Sequence, residues 1–388
     1  MIGVGTGPET RTPRRGAGSR ASERDAWIAL SVLLGAGPAG FARLVAEYGS
    51  AAAAWQAGVV PHRGAAAPPR PLVPRESSEA RDIARSLAQA TERSGGRVVT
   101  ALDDDYPPAL RTLDPRPPTL YVAGPAGVFQ RRAVAIVGTR GASGYGLSIA
   151  TEIGDELARA GVVVVSGLAL GIDGAAHRAT VAAGAPGIAV LPSPLDRIYP
   201  PRHRSLARDL LRAGGALVSE IAIGAAVGKP DFARRNRIIA GLAEAVVVVE
   251  APDHSGALLT ASAAAAIGRE VYAVPGPIDA MASRGCNRLI ADHQATLVTS
   301  AVALLHQIGF TRSARPPSVT TLSEVEGVVL RYLLERPGSI EELVDRARQP
   351  PASVASALAM LEARGLADPY GGATFHPTLA ARRLAALV

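Results

Sequence analysis

The chain of 388 residues contains one cysteine, Cys286. That excludes an intramolecular disulfide and any zinc site built on cysteine pairs, and it points to a reducing compartment. Lysine is as scarce: Lys229 stands alone among 41 basic residues, so arginine carries the positive charge. No G-x-x-x-x-G-K-[ST] run surrounds that lysine, which argues against a P-loop nucleotide hydrolase. Aromatic residues make up 4% of the chain, leaving few rings on which bases could stack. No apolar run approaches the roughly 18 residues that span a bilayer. No apolar signal segment precedes Trp27. These absences lead us to expect a cytoplasmic protein with no membrane partner, no metal and no cofactor.

What is present is an excess of arginine. A net charge of +7 favours a polyanionic partner such as nucleic acid, although part of it sits in a basic N-terminal tail. Composition and periodicity divide the chain into five stretches. Residues 1–22, rich in Gly, Pro, Arg and Ser, read as a disordered basic tail. Residues 23–76 read as two short helices around Gly35 and Gly37, resembling a helix–hairpin–helix or SAM-like module, followed by a Pro-rich linker. Residues 77–310 alternate strand-like runs with helical periodicity and form the main domain. Residues 311–320, with Pro316 and Pro317, are a second linker. Residues 321–388 show three short helical patterns and a hairpin around Gly371 and Gly372, the content of a winged helix. Its third helix is Ala-rich with a single arginine, so contact with protein is at least as well supported as reading of a DNA groove.

In the main domain the runs Ala133–Val137, Val162–Val165, Gly187–Leu191, Ala216–Val218, Ala245–Val249 and Glu270–Val274 are almost continuously apolar. Strands of that kind are covered on both faces, and their alternation with helices predicts a parallel, doubly wound α/β sheet of Rossmann-like type. Ligands bind such sheets at the carboxyl ends of the strands. Gly138–Gly146 lies there as a glycine-rich turn from strand to helix, an anion cradle with Arg140 in its middle. A tight turn with a surface arginine is the plain alternative. The glycines at 138, 141, 144 and 146 do not give the G-x-G-x-x-G spacing, and Ser166 ends the second strand where a dinucleotide site would carry an acidic residue. Asp173 and His177, one helical turn apart, and the strand-ending Glu220 and Glu250 allow a hydrolase to be imagined. Helix capping by Asp173 and packing of His177 explain the first pair better. Asp196, His203, His254 and His293 are too scattered to imply a metal site. Arg140, Arg197, Arg202, Arg235 and Arg237 all fall near turns expected at one rim. With the glycine-rich turns they describe a groove for consecutive phosphates of single-stranded nucleic acid, with Tyr145, Tyr199 and Phe232 as stacking candidates.

At these residues the chain resembles the DNA-processing protein A (DprA, or Smf) family. The resemblance rests on Gly138, Thr139, Arg140, Ser143, Tyr145 and Gly146; on Ser166, Gly167, Ala169, Gly171, Asp173 and His177; and on Asp196, Tyr199 and Pro200. It continues through Ser219 and Glu220, then Phe232, Arg235, Asn236 and Arg237, then Glu250, Ser255 and Gly256, and ends with Pro275, Gly276 and Asn287. It implies an extended Rossmann-like domain that dimerises, binds single-stranded DNA without being an enzyme, and loads the recombinase RecA onto DNA taken up in natural transformation. The implied nucleic-acid-binding set is Gly138, Thr139, Arg140, Ser143, Ser166, Gly167, Arg202, Arg235, Asn236, Arg237, Ser255 and Gly256. The family's lysine after Tyr-Pro falls on Pro201, a departure for which Arg202 is the candidate substitute. Ser193 and the pair Gln294 and Ala295 also depart from the family pattern. The alternative is a nucleoside-phosphate hydrolase of the lysine-decarboxylase-like (LOG) Rossmann type, of whose loop only Pro275 and Gly276 are present. A nucleotide-sensing Rossmann module is the fallback.

Overall fold

The computed structural model describes residues 17–33, 37–60, 70–71, 76–310, 322–370, 374–378 and 381–382. Most of the expected basic tail (residues 1–16) and the linker 311–320 lie outside them. Two compact units divide near Arg312.

A sheet of nine strands organises the first unit. In chain order these are β1 (Arg97–Thr100), β2 (Thr119–Ala123), β3 (Ala133–Val137), β4 (Val163–Ser166), β5 (Gly187–Leu191), β6 (Ala216–Ser219), β7 (Ala245–Val248), β8 (Glu270–Ala273) and β9 (Thr296–Leu297). Across the sheet they run β9-β8-β7-β3-β4-β5-β6-β2-β1. From β9 to β6 all pairings are parallel, and β2 and β1 extend that edge in antiparallel fashion. The expected parallel core is therefore present, with β9 and the two antiparallel edge strands added to it.

Period-two alternation explains the double winding. In β3, Val134 and Ile136 pack with Ala150, Ile153 and Leu157 of helix Gly144–Arg159. Ala135 and Val137 pack on the other face with Ile238, Ile239 and Ala261. Both faces are buried, so every residue of β3 is apolar. The chain winds outward from β3 through β4, β5 and β6, then returns to place β7 on the other side of β3. The switch point lies between β3 and β7, where a crevice opens at the carboxyl ends.

The N-terminal helices differ from expectation. The first begins at Ala17, ahead of Ser22, and a third, Ala51–Gln56, follows the expected two. Within the expected linker, Val59–Val60 pairs with Arg70–Pro71. Nor do these helices have a core of their own: Trp27, Phe41, Leu44 and Trp55 join the cluster that contains Leu110, Leu120 and Val137. Helices this short bury too little apolar area to stand alone. Polar pins add to the docking. The Trp27 indole donates to the Pro118 carbonyl at 2.7 Å, and Arg24 pairs with Asp103 at 2.8 Å. The second unit holds helices Glu324–Glu335, Ile340–Ala347 and Pro351–Ala363 and a small antiparallel sheet of Gly338–Ser339, Thr374–Pro377 and Ala367–Tyr370, in that order. Among the described residues no helix is long and apolar enough to cross a membrane.

Candidate functional site

A cavity of about 430 Å³ opens at the switch point. Gly138, Thr139 and Arg140 form one side, and Ser255 and Gly256, at the start of helix Gly256–Ala266, form the facing side. The first turns of helix Lys229–Leu242 close it with Lys229, Phe232, Arg235 and Asn236. Arg140 and Gly256 are exposed. The Arg140 guanidinium lies 5.1 Å from the centre of the Phe232 ring, a cation–π distance. Tyr199 meets Phe232 edge-on, with centroids 5.5 Å apart. Two of the three stacking candidates are thus together. Tyr145 is turned elsewhere and donates to the Pro275 carbonyl at 2.9 Å.

The glycine-rich turn after β3 is not a free anion cradle. Thr139 N–H donates to the Glu250 carbonyl at 2.7 Å. The Glu250 carboxylate then accepts from Ser143 N–H at 2.8 Å and from Ser143 Oγ at 2.5 Å. A buried side chain of the protein therefore supplies the anion at this helix start. Gly146 is required because a Cβ there would stand 2.3 Å from Glu250 Oε2. Ser143, expected to contact phosphate, is instead held by Glu250.

The second turn is sealed in the same way. Ser166 is fully buried and donates to the Ile136 carbonyl at 2.6 Å. Asp173 accepts from Gly167 N–H at 3.0 Å and Ala169 N–H at 3.3 Å, so it shapes the loop ahead of its helix. Burial raises its pKa, opposed by the nearby Arg235. Arg235 is buried and donates to the carbonyls of Gly167 at 2.6 Å and Val190 at 2.5 Å. Burial pushes its guanidinium down to about 10, with Asp173 opposing. Gly167 must be glycine, since a Cβ would lie 2.1 Å from Arg235 Nη1.

The expected row of arginines is thus only partly at the rim. Arg235 ties β4 to β5. Arg237 pairs with Glu220 and donates to the Pro115 carbonyl at 2.7 Å. Arg197 donates to the Ala225 carbonyl at 2.5 Å. Arg140, Arg197 and Arg202 are exposed, and of these three only Arg140 lines the cavity. The physical reason is shared: β-strand ends and loop carbonyls need donors, and a long forked guanidinium reaches them. Asn236 likewise holds the Gly256 carbonyl at 3.1 Å, which fixes the facing helix start. Lys229 is the cavity residue that sequence reasoning missed. Gly228, Lys229, Pro230 and Asp231 form a helix start with Pro in the first turn and Asp231 accepting from Gly228 N–H at 2.8 Å. That signature places the helix start at Lys229.

The hydrolytic groups are dispersed. Glu220 and Glu250 are held as described, and His177 is fully buried, its imidazole pushed down to about 3 by burial. His203 sits at 2.8 Å from the Leu168 carbonyl. Among the described residues no cluster of His, Cys, Asp and Glu could hold a metal.

A family model described as DNA recombination-mediator protein A matches residues 97–309. Protein Smf of Escherichia coli (strain K12) is 38% identical over 283 residues, covering 71% of this chain and 75% of that protein. The crystal structure of DNA processing protein A from Streptococcus pneumoniae superposes with a TM-score of 0.52 at 34% identity, covering 61% of this chain and 83% of that one. A structure of DNA processing protein A from Helicobacter pylori, described for its single-stranded DNA binding mode, gives a TM-score of 0.51 at 27% identity over 55% of this chain and 97% of that one. The chain belongs to the DNA recombination-mediator protein A family, DNA-processing proteins that mediate recombination and are not enzymes.

Proposed function

We propose that the cavity at the switch point holds the backbone of single-stranded DNA, and that the protein delivers the coated strand to RecA recombinase. The observation that carries this reading is the convergence of Arg140, Lys229, the Phe232 ring and the start of helix Gly256–Ala266 on one open cavity. Two cations and a helix start suit phosphate, and the Phe232 ring beside Arg140 suits a splayed base. Ser143, Ser166, Arg235 and Arg237 serve as scaffold in this reading, and Arg202 is an outlying cation. The protein acts in the cytoplasm as a homodimer during DNA uptake and recombination. The C-terminal unit is read as a winged helix that meets protein: its third helix exposes Ala352, Ala355, Ser356, Ala359 and Met360, with no cation among them.

Fluorescence anisotropy with labelled oligo-dT across a salt series tests the reading. Affinity should fall linearly on logarithmic axes as salt rises. Arg140→Ala should weaken binding and flatten the slope by about 0.7, the release of one counterion from a single strand. Binding that ignores salt, or equal affinity for duplex, would falsify it. Delivery to RecA predicts faster onset of RecA ATPase on oligo-dT, and an unchanged onset removes that part of the proposal.

A further inference from the structure

Six arginines lie between Ser166 and Ser219, against three acidic residues, Asp173, Asp196 and Asp209. Asp173 is buried, and Asp209 pairs with Arg212 at 3.1 Å. Arg178, Arg202, Arg204 and Arg208 are exposed and have no acidic partner among the described residues. Arg235 and Arg237 at the rim are tied to carbonyls or a carboxylate, and these four are not. Unanswered cations gathered on one surface suit a polyanion.

Helix Arg204–Arg212 sets their spacing. It buries Leu206, Ala207 and Leu210, so Arg204, Arg208 and Arg212 share its outer face. Successive members stand about 6 Å apart along the axis, so the row spans roughly 12 Å. That step is close to the one between neighbouring phosphates of an extended strand. Arg178 joins the row from helix Ile172–Ala182. The Leu168 carbonyl can only accept, so His203 Nδ1–H donates to it at 2.8 Å. The other ring nitrogen, Nε2, then stands 3.5 Å from Arg178 Nη1. The buried His203 thereby ties the head of the row to Leu168, whose neighbour Ala169 lines the first cavity.

The surface between the two is continuous. A narrow cleft of about 30 Å³ shares Arg140 and Phe232 with the cavity and adds Tyr199 and Pro200. The single turn Pro201–His203 follows and carries the exposed Arg202 to the start of helix Arg204–Arg212. Resting on the strand-binding reading above, we propose that the arginine face of this helix, with Arg178, is a second track for the same single strand. It takes the phosphates that follow those in the cavity, without reading bases.

The test is anisotropy on the full chain with labelled oligo-dT of about 6 and about 20 nucleotides, near the lower end and beyond the upper end of single-strand site sizes. Wild type is compared with the double variant Arg204→Ala/Arg208→Ala across a salt series. Wild type should show the steeper slope with the longer oligonucleotide. The variant should lose about 1.4 from that slope and roughly 25-fold in affinity at about 0.1 M salt, the release of two counterions from a single strand. Its affinity for the shorter oligonucleotide should be unchanged. Alanine is the better helix former at these exposed positions, so the melting temperature should hold or rise. Arg204→Lys/Arg208→Lys keeps the charge and should keep the slope. An unchanged slope and affinity for the longer oligonucleotide overturns the track and leaves the cavity reading standing. An equal loss at both lengths also overturns it, since the two arginines would then belong to the first site. Wild type that binds neither length overturns both.

Discussion

Two helices at the rim start alike. Gly144–Arg159 follows β3 and Gly256–Ala266 follows β7, and each has a serine cap, Ser143 or Ser255, whose side chain accepts from the first turn. At the first, the Glu250 carboxylate takes the Ser143 amide and hydroxyl. At the second, no carboxylate is bonded to the first turn among the described residues, and the cap faces the cavity with Arg140 and Lys229. Both starts have the dipole and the free amides that attract anions. One is neutralised from inside, and the other opens on the cavity with no internal carboxylate at its first turn among the described residues. A glycine-rich strand–helix turn therefore announces an anion site without saying whose anion fills it. The contrast extends to the cations: Arg235 is buried with Asp173 and His177 under the second turn, whereas Arg140 stands in the open.

The sealed side should respond in stability and the open side in affinity. The largest effect is expected from Arg235→Leu. It leaves the Gly167 and Val190 carbonyls without their donor and Asp173 without its counter-charge. Breaking a buried charge cluster this way costs about 3–5 kcal/mol. A urea midpoint should show it, with Arg235→Lys partly restoring stability because its shorter reach satisfies one carbonyl. A stable Arg235→Leu protein with a flattened salt slope for oligo-dT would place Arg235 on the open side and break the contrast.

His177 gives the next effect, read in pH. Its imidazole, ordinarily near 6.5, is pushed down to about 3 by burial in the folded protein. The unfolded chain takes up a proton as pH falls below 6.5 while the folded one does not, so stability is full above that value and is lost below it. The loss is about 1.4 kcal/mol per pH unit, or roughly 2 kcal/mol at pH 5. In His177→Leu this part of the acid limb should disappear. If both proteins lose stability in parallel between pH 6.5 and 5, the histidine is not held neutral.

Strands buried on both faces had to be apolar throughout, so the order of β3 to β8 along the chain could be read directly. The edge strands were weaker signals: β9 has two residues, both exposed, and the β1–β2 pair is set apart by prolines. Glu250 was recognised as a strand end, but its contact with Ser143 spans 107 residues and no local pattern records it. Arg235 was more legible than its neighbours. Three, four and seven residues on lie Ile238, Ile239 and Leu242, all buried, so helical spacing alone puts Arg235 on the inward face. The run of Arg234, Arg235 and Arg237 drew attention to charge and hid the period.

The smallest expected effect gives the sharpest form of the contrast, because it changes the same atom at both helix starts. Ser143→Ala and Ser255→Ala each remove a capping oxygen worth about 1 kcal/mol of stability, and Ser143→Ala should cost more because it also takes a hydroxyl donor from the buried Glu250 carboxylate. Only the second should weaken binding of oligo-dT. The Ser255 hydroxyl accepts from Ala257 N–H at 3.3 Å, and in the proposed strand-binding mode its own hydrogen meets a phosphate. Losing one such hydrogen bond is worth about 1 kcal/mol, roughly fivefold in Kd. Ser143 directs its hydrogen at Glu250, so its removal leaves the cavity untouched. Stability lost at both sites with affinity lost only at Ser255 separates capping from binding at the two turns. Equal affinity losses at both would mean that the strand reaches the first helix start and displaces the Glu250 carboxylate there.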